Sequence, residues 1–496
     1  MEKSYWEQTF KNRPYKRFSE VDSFDSISEE CGVFGVFSTK TIDTFSIAEF
    51  GMFALQHRGQ EACGVSVLKD GQILTAKRNG LVLDLYKYID NSDDFQGNAA
   101  IGHTRYSTTG GNSTRNIQPF YATNLYGKTH ISFVHNGNLV DYENIRQELI
   151  NDDLPFLTAD SDSEVLLRLI QKYLTDNNLI DAIKKATARI KGSYSVLMLT
   201  KDGLIAFRDP NGIRPLCIGK LDNETYVFSS ETCGLNAVGA TFVRNIEPGE
   251  LVYCSKNGLE SHFLIEKEET KNRICAFEYI YFSRPDSIIE NIDVYNVRKE
   301  SGKKLYQQFP VDADVVIGVP DSGIAAAMGY SEASGIPFQP ILIKNRYMSR
   351  SFIIPSQDMR QRVVNLKLNP IIPEIKGKRL VVIDDSIVRG TTSKRLVDIL
   401  WESGAKEIHF RSASPPIIAP CFLGIDMPTK KDLVSANMNR QELTDYLKVN
   451  SLDFLSVENL IDILGSINHC FGCFTEKYPV ERKILQEEVW QKKIHL

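Results

Sequence analysis

The stretch Gly377-Lys-Arg-Leu-Val-Val-Ile-Asp-Asp-Ser-Ile-Val-Arg-Gly-Thr-Thr-Ser-Lys-Arg-Leu396 determines the architecture of the second half of this chain. Its apolar, β-branched run from Leu380 to Ile383 is typical of a buried parallel strand. The run ends at Asp384 and Asp385, and a loop rich in glycine and hydroxyl groups leads into a segment with helical spacing. Because backbone N–H groups and the helix dipole at such a junction face an anion, the stretch predicts a phosphate site. The two carboxylates suit ribose hydroxyls and a Mg²⁺-bearing substrate, so the predicted ligand is a phosphate ester of ribose.

This stretch resembles the phosphoribosyl pyrophosphate (PRPP) motif of type I phosphoribosyltransferases. The alternative is an ordinary strand–loop–helix turn with an acidic pair on the surface. Strands and helices alternate from about residue 300, which is typical of a doubly wound parallel sheet with its ligand at the carboxyl ends of the strands. We therefore expect an α/β type I phosphoribosyltransferase domain over residues 263–496. Its elements are predicted as strand, helix and strand at 315–319, 323–334 and 340–343, and again at 379–384, 393–403 and 406–412.

Length and composition set the broad class of the protein. At 496 residues the chain exceeds what one hydrophobic core usually holds, so two to four domains are expected. The proportions of hydrophobic (42%) and charged (24%) residues are ordinary for a globular protein, and the net charge of −5 gives no reason to expect a nucleic-acid surface. No apolar stretch approaches the roughly 20 residues of a bilayer span. Residues 1–30 contain no apolar signal region, so we expect a cytoplasmic protein.

Short β-like runs dominate the first half, from Cys31 to about residue 260. Helices are predicted near 46–56 and 163–174. This mixture predicts a layered α+β domain. The clearest strand predictions are 31–37, 64–68, 131–135, 194–199 and 225–229.

Four segments of this half resemble the class II glutamine amidotransferase domain, whose nucleophile is an N-terminal cysteine. They are Gln56-His-Arg-Gly-Gln-Glu61, Gly102-His-Thr-Arg-Tyr-Ser-Thr108, His135-Asn-Gly-Asn138 and Ser161-Asp-Ser-Glu164. The resemblance implies an N-terminal-nucleophile hydrolase αββα sandwich over residues 31–262, preceded by a propeptide, residues 1–30. Removal of the propeptide would expose the α-amino group of Cys31, whose ordinary pKa of about 7.7–8.0 suits it to take the proton of the thiol.

The same resemblance assigns roles to four further residues. Arg105 is expected to bind the α-carboxylate of glutamine and Asp162 its α-ammonium group. Asn136 and Gly137 are expected to form the oxyanion hole. Taken singly, these residues have ordinary alternatives: a surface arginine, a helix N-cap and a hairpin turn. Their order and spacing, together with Cys31, favour the catalytic interpretation.

A glutaminase-like half followed by a phosphoribosyltransferase-like half resembles the amidophosphoribosyltransferase family, over about residues 31–480. The resemblance implies that ammonia from glutamine passes through an internal channel to C1 of PRPP and forms 5-phosphoribosylamine, the first step of de novo purine synthesis. It places Mg²⁺ at Ser322, Asp384 and Asp385. It assigns PRPP binding to Asp321, Lys344, Arg360, Lys367, Asp384, Asp385, Ser386, Arg389, Gly390, Thr391 and Thr392.

Two details of this resemblance concern loops. Gly323 stands where the family usually has a hydroxyl residue, which removes one possible hydrogen-bond donor to the substrate. Arg360 and Lys367 belong to a stretch, 344–369, that is expected to close over PRPP and exclude water.

The chain has nine cysteines, and an odd number argues against a disulfide framework. The pair in Cys470-Phe-Gly-Cys473 is by itself compatible with a redox role, a metal site or neither. By resemblance to cluster-bearing family members, Cys275, Cys421, Cys470 and Cys473 are expected to hold a [4Fe–4S] cluster. Four thiolates suit either Fe–S or Zn²⁺, and four unrelated buried thiols are the remaining alternative.

Two other functions fit parts of the sequence. One is a glutaminase coupled to another acceptor, such as a hexose phosphate or aspartate, and the segment 379–393 argues against it. The other is a ligand-sensing regulator built on the phosphoribosyltransferase fold, which the glutamine-site residues argue against. The resemblance further implies glutamine and PRPP as small-molecule substrates, inhibition by purine nucleotides, a homotetramer, and neither a nucleic-acid nor a membrane partner.

Overall fold

The computed structural model describes residues 31–87, 89, 96–106, 114–123, 129–152, 159–344, 368–427 and 429–482. The predicted propeptide, residues 1–30, lies outside these ranges, as do the predicted PRPP-binding residues Arg360 and Lys367. Within these ranges no helix combines the length and the apolar character that crossing a bilayer requires.

Two antiparallel sheets packed face to face form the first half of the chain. In chain order their strands are β1 (Gly32–Ile42), β2 (Ala62–Lys69), β3 (Gln72–Asn79), β4 (Gly97–Arg105), β5 (Phe120–Thr123), β6 (Thr129–Val140), β7 (Lys191–Thr200), β8 (Gly203–Arg208), β9 (Cys217–Lys220), β10 (Thr225–Ser229), β11 (Thr241–Asn245), β12 (Glu250–Ser255) and β13 (Gly258–Phe263). In the described residues the order of one sheet is β11-β9-β10-β1-β4-β2-β3, and that of the other is β13-β12-β8-β7-β6-β5.

Helices cover the outer face of each sheet. Because side chains alternate along a strand, Val33 of β1 lies in the apolar cluster between the sheets, whereas Phe34 packs with Met52 of the first helix. On the opposite side Ile170 packs with Val196 of β7. The predicted αββα sandwich is therefore confirmed. Its helices are α1 (Thr44–Ala54), α2 (Val82–Tyr86), α3 (Glu143–Asn151), α4 (Asp162–Leu174), α5 (Leu179–Thr187) and α6 (Thr232–Ala237).

The second half is built on a parallel sheet, and its predicted α/β fold is confirmed. Its strands are β14 (Ile288–Ile289), β15 (Ile292–Asp293), β16 (Val315–Gly318), β17 (Leu342–Lys344), β18 (Leu368–Pro370), β19 (Arg379–Asp384), β20 (Glu407–Ser412) and β21 (Ser451–Phe454). In the described residues the parallel sheet has the order β16-β19-β20-β21. Its helices are α7 (Val294–Gln308), α8 (Ile324–Ser334), α9 (Ile372–Ile375), α10 (Thr391–Glu402), α11 (Val434–Asn437), α12 (Arg440–Leu447), α13 (Val457–Leu464) and α14 (Gly472–Thr475).

The strand predicted at 340–343 does not join the parallel sheet, and this part of the prediction is wrong. Strand β17 begins two residues later and pairs antiparallel with β18. Before it, Phe338 makes a single parallel bridge with Val316 of β16. Pro337 has no N–H group to donate, so the ladder cannot extend on its N-terminal side. On the other side, Ile341 donates its backbone N–H to the carbonyl of Gln339 over 2.9 Å instead of to β16.

One apolar cluster joins the two halves. It contains Val140 and Ile213 from the sandwich together with Phe277, Ile425 and Phe474 from the second half. The boundary between the halves is thus a packed interior rather than a solvent-filled gap, and the residues described next lie along it.

Candidate active sites

Cys31 lies directly before β1 and is partly exposed. Its thiol donates to the backbone carbonyl of Tyr106, with 3.8 Å between sulfur and oxygen. The thiol interacts electrostatically with Arg105, Asp162 and Glu61. Burial raises the pKa of this thiol above its ordinary value, although the Tyr106 carbonyl and Arg105 act in the opposite direction. The sulfur is therefore protonated near neutral pH, and a base has to activate it before it can act as a nucleophile.

Arg105 is the last residue of β4 and is nearly buried. Burial lowers the pKa of its guanidinium, and the charges of Cys31, Glu61 and Asp162 oppose that effect. A tight turn supports its backbone, because a Cβ on Gly59 would lie 2.6 Å from the backbone N of Arg105. Glu61 donates its backbone N–H to the Arg105 carbonyl over 3.1 Å. The Gln56–Glu61 segment thus holds the strand end that carries the predicted carboxylate ligand.

Asn136 and Gly137 lie in the middle of β6, opposite Ser195 and Tyr194 of β7. The Asn136 side chain is 1% exposed. Within the described residues neither its Oδ1 nor its Nδ2 atom has a hydrogen-bond partner. Buried amides are normally bonded, so an unpaired one calls for a functional explanation. Gly137 has a φ of +146°, and a Cβ there would lie 2.1 Å from the carbonyl oxygen of Ser193, so glycine is required.

Asp162 is the first residue of α4 and is 3% exposed. Its Oδ2 atom accepts from the backbone N–H of Leu139 over 2.8 Å, and its Oδ1 atom accepts from that of Ser163 over 2.8 Å. The bond to Leu139 ties this carboxylate to the strand that carries Asn136. The fold therefore brings Cys31, Arg105 and Asp162 together, from three elements that are far apart in the sequence.

Sequence reasoning missed a buried ionic network behind this site. Arg58 donates to Glu231 and to Glu278, and Arg214 lies 3.5 Å from Glu278. None of these four side chains is more than 1% exposed. His57 adds a contact of 2.7 Å to Glu231. One sequence signal was available, because Glu278 interrupts the otherwise apolar and aromatic run from 276 to 282, where a charge has to be paired.

The predicted phosphate site lies where β19 ends. Gly390 has a φ of +78° and precedes α10, and no described side chain caps the N-terminus of this helix. The helix begins at Thr391 and Thr392, and the N-terminus of a helix favours an anion. Ser386 and Arg389 lie in the loop between the carboxylates and the helix.

The two carboxylates differ in their surroundings. Asp384 accepts from the backbone N–H of Asp385 over 2.9 Å. Asp385 accepts from the hydroxyl of Ser322, on the neighbouring loop, and from that of Ser386 over 2.6 Å. Burial raises the pKa of Asp385, while these hydroxyls and the charge of Arg298 lower it. Both loops thus converge on one group of oxygen atoms.

The structure explains why Gly323 departs from the family pattern. A Cβ at this position would lie 2.5 Å from the carbonyl oxygen of Ile383, so a hydroxyl side chain has no room. On the same loop, Asp321 pairs with Lys344 over 2.9 Å, and both side chains are exposed. Lys344 thus lies next to the loop that follows β16, at the edge where PRPP is expected.

Asp426 lies between the two sites. Burial raises the pKa of its carboxyl, the charge of Arg389 lowers it and that of Glu61 raises it. Since Arg389 belongs to the phosphate loop and Glu61 to the surroundings of Cys31, Asp426 lies within electrostatic range of both sites.

The four predicted cluster ligands lie close together, and all nine described cysteines are free thiols. Cys275 pairs with Cys470 in a single parallel bridge, and the backbone N–H groups of residues 418 and 419 donate to the carbonyl of Cys473. Burial raises the pKa of the Cys275 thiol, and the neighbouring Cys470, Cys473 and Cys421 raise it further. In the described part of the chain, however, no three His, Cys, Asp or Glu side chains are already arranged to hold a metal ion.

Comparison with known proteins identifies the family of this chain. Residues 103–237 match a glutamine amidotransferase domain, and residues 286–412 match a phosphoribosyl transferase domain. The chain is 44% identical to the amidophosphoribosyltransferase of Methanocaldococcus jannaschii, over 92% of this chain and 100% of the relative. It is also 44% identical to that of Bacillus subtilis, over 92% and 95%. The solved glutamine PRPP amidotransferase of B. subtilis, complexed with ADP and GMP, superposes with a TM-score of 0.85 at 42% identity, over 92% of this chain and 98% of that one. The chain therefore belongs to the amidophosphoribosyltransferase family.

Proposed function

We propose that this protein makes 5-phosphoribosylamine from PRPP, with nitrogen taken from glutamine, as the first step of de novo purine synthesis. The observation that carries the proposal is the meeting of Cys31 with Arg105 and Asp162. A thiol beside one cation and one carboxylate suits a substrate with an α-carboxylate, an α-ammonium group and an amide. Membership of the family supports coupling of this site to the transferase half.

In the glutaminase half, the thiol of Cys31 would attack the amide carbon of glutamine. Because its pKa is raised, a base must first remove the proton. We propose that residues 1–30 are a propeptide and that the α-amino group of Cys31 is this base once they are removed. The same amine would return the proton to the departing ammonia, and water would then release glutamate. The Asn136 amide and the backbone N–H of Gly137 would stabilise the oxyanion.

In the transferase half, pyrophosphate would leave from C1 of the ribose as ammonia attacks the opposite face. The N-terminal turn of α10 would hold a phosphate group, and Asp384 would accept hydrogen bonds from ribose hydroxyls. The carboxylates of Asp384 and Asp385, with Ser322, are oxygen donors of the kind Mg²⁺ prefers. A Mg²⁺ ion shared with substrate phosphates needs only one or two protein carboxylates, so a complete protein-only site is not required. A bound Mg²⁺ would neutralise charge that develops on the leaving pyrophosphate.

Ammonia has to reach C1 without being protonated, because ammonium has no lone pair with which to attack. The position of Asp426, in electrostatic contact with both Glu61 and Arg389, supports a short path along the domain boundary. We infer that ammonia moves through the protein interior there, and that the stretch 344–369 closes over PRPP during the reaction.

We propose that Cys275, Cys421, Cys470 and Cys473 hold a [4Fe–4S] cluster. Three buried thiols and the partly exposed Cys421, all free and interacting with one another, support the donor set, and their thiolates would move towards the metal as they lose their protons. The cluster would be structural, because it would link the domain junction at Cys275 to the chain near residue 473. Zn²⁺ is the alternative occupant of the same ligands.

We further propose a cytoplasmic homotetramer that purine nucleotides inhibit. The nucleotides named with the solved B. subtilis relative, ADP and GMP, support the inhibition. The net charge of −5 supports a function without nucleic-acid partners.

The decisive experiment is an anaerobic assay with glutamine, PRPP and Mg²⁺. We expect glutamate, pyrophosphate and phosphoribosylamine in equal amounts. Glutamate without pyrophosphate would indicate a glutaminase with another acceptor, and the absence of both products would indicate a regulator. The mass of the purified chain should be that of a polypeptide whose first residue is Cys31. An active enzyme that still begins at Met1 would contradict the mechanism in which the α-amino group of Cys31 is the base. Iron and acid-labile sulfide in equal amounts would support the cluster, whereas zinc would refute it.

A further inference from the structure

Hydrogen bonds connect the strand that carries the oxyanion-hole residues, and its neighbour β7, to a segment of the transferase half. The side-chain Nδ2 of Asn138 donates to the backbone carbonyl of Phe422 over 3.0 Å. Ser193, opposite Asn138 on β7, donates its hydroxyl to the backbone carbonyl of Leu423 over 2.7 Å. Two neighbouring residues of the sandwich thus bind consecutive carbonyls of one short segment, residues 422–424, which we call the backing segment.

Arg214 strengthens this attachment, because its guanidinium donates to the same Leu423 carbonyl. Arg214 and Ser193 are both fully buried, so water does not compete for these bonds. A hydrogen bond from a charged donor is about twice as strong as one between neutral groups. The backing segment is therefore fixed relative to β6 and β7.

Gly424 contacts the oxyanion strand directly. Its φ is +100°, and a Cβ at this position would lie 3.1 Å from the carbonyl carbon of Gly137 and 3.2 Å from its Cα. On the other side, Gly137 is confined by Ser193, whose carbonyl oxygen a Cβ on Gly137 would approach to 2.1 Å. The Gly137 backbone is thus enclosed between its own sheet and the transferase half.

We propose that the backing segment, Phe422–Gly424, positions the oxyanion hole for glutamine hydrolysis. This inference rests on the proposed function and deepens it. An oxyanion donor has to lie about 2.7–3.1 Å from the developing charge, and a misplacement of about 1 Å can cost about 100-fold in rate. Displacement of the segment should therefore lower kcat for glutamine more than it changes KM, because Arg105 and Asp162 bind the amino-acid end from other elements.

The test compares Gly424→Ala with Gly335→Ala. Both residues have positive φ values, +100° and +74°, so alanine strains both backbones. At Gly335 no described atom outside the residue and its chain neighbours lies within 4 Å of the added Cβ, whereas Gly424 meets Gly137. Glutamate release is measured with and without PRPP, and phosphoribosylamine formation is measured with an ammonium salt in place of glutamine. We expect Gly424→Ala to lose about 10–100-fold in kcat for glutamine hydrolysis and to keep its ammonia-dependent rate within about 2-fold, and Gly335→Ala to keep both rates.

Ser193→Ala is the second variant, because it removes, without adding bulk, the hydroxyl that donates to Leu423 and accepts from the backbone N–H of Asn138 over 3.3 Å. We expect a loss of about 3–10-fold in kcat for glutamine, again with KM and the ammonia-dependent rate nearly unchanged. Equal losses with glutamine and ammonia, a change in KM alone, or the same loss in Gly335→Ala would overturn the inference. Glutamate release does not depend on phosphoribosylamine formation, so a wild-type protein that hydrolyses glutamine but makes no phosphoribosylamine would refute the proposed function and leave this comparison valid.

Discussion

The unpaired amide of Asn136 leads to a prediction that separates activity from stability. A buried polar side chain without partners costs about 1–3 kcal/mol of folding free energy. In Asn136→Ala that cost disappears, and lost packing of similar size, about 1–3 kcal/mol, opposes the gain. We therefore expect the free energy of unfolding to stay within about 1 kcal/mol of the wild-type value. The kcat for glutamine hydrolysis should nevertheless fall by about 100- to 1000-fold, as for loss of an oxyanion-hole donor elsewhere.

A neighbouring amide supplies the matched control. Gln118 is also buried, but it accepts from the backbone N–H of His135 over 2.6 Å and donates to the His135 carbonyl over 3.1 Å. Gln118→Ala leaves both backbone groups unpaired, each at a cost of about 1–3 kcal/mol, so this variant should be clearly less stable than Asn136→Ala.

Thermal and denaturant unfolding provide the stability comparison, and glutamate release provides the rate. Ammonia-dependent synthesis of phosphoribosylamine should be unchanged in Asn136→Ala, since the transferase site is not altered. The reasoning would be refuted if Asn136→Ala were as unstable as Gln118→Ala, because the amide would then be bonded in the folded protein. It would equally fail if glutamine hydrolysis stayed within about 3-fold of the wild-type rate.

Three further predictions follow from single residues. Cys31→Ala should abolish glutamine use and spare ammonia-dependent synthesis, and equal loss of both in a two-substrate assay would make Cys31 structural. Burial alone would raise the pKa of Glu231, but the charges of Arg58 and His57 outweigh this effect and hold the pKa well below the ordinary value of 4.5. The ionised Glu231 therefore contributes fully to the free energy of unfolding above pH 4.5, and this contribution is lost as the pH falls below that value. Unfolding midpoints measured from about pH 7 down to pH 3 should therefore drop steeply in the wild type and less steeply in Glu231→Gln; parallel curves would contradict the assignment. Gly323→Ser restores the hydroxyl of the family pattern, but its Cβ would meet the Ile383 carbonyl. We therefore expect this variant to be less stable by about 1–3 kcal/mol and to make phosphoribosylamine from ammonia more slowly. A wild-type rate and a wild-type unfolding midpoint would show that the loop has room for the side chain.

Local patterns predicted most of the elements. The strand predicted at 225–229 is observed at Thr225–Ser229, and the helix predicted at 163–174 is observed at Asp162–Leu174. Both are specified by neighbours within one element: alternation in the first case, and a helical apolar face with an N-terminal Ser161 cap in the second. The glutamine-site and phosphate-loop residues could be proposed for a similar reason, since each lies in a short contiguous motif.

Contacts between distant residues could not be predicted in this way. Arg58 and Glu278 are 220 positions apart, and the sequence around either residue does not indicate which residue it pairs with. The attachment of Asn138 to Phe422 uses a backbone carbonyl, which every residue possesses, so the sequence carries no trace of it. The strand predicted at 340–343 is observed at Leu342–Lys344, but it was assigned to the wrong sheet because its partner is a later segment, 368–370, which its own apolar pattern does not specify.

The buried network at the boundary restricts how the two halves can communicate. Domains in one chain usually move relative to each other when the interface between them is small and polar. Here Arg58, Arg214, Glu231 and Glu278 are all but completely buried, and the Arg58–Glu278 pair spans the boundary. Opening the boundary would separate that pair and expose the apolar cluster that joins the two halves, which is unfavourable in water. Rigid-body opening is therefore a costly route for a signal from the PRPP site, whereas the backing segment already contacts the oxyanion strand and is linked to this network through Arg214.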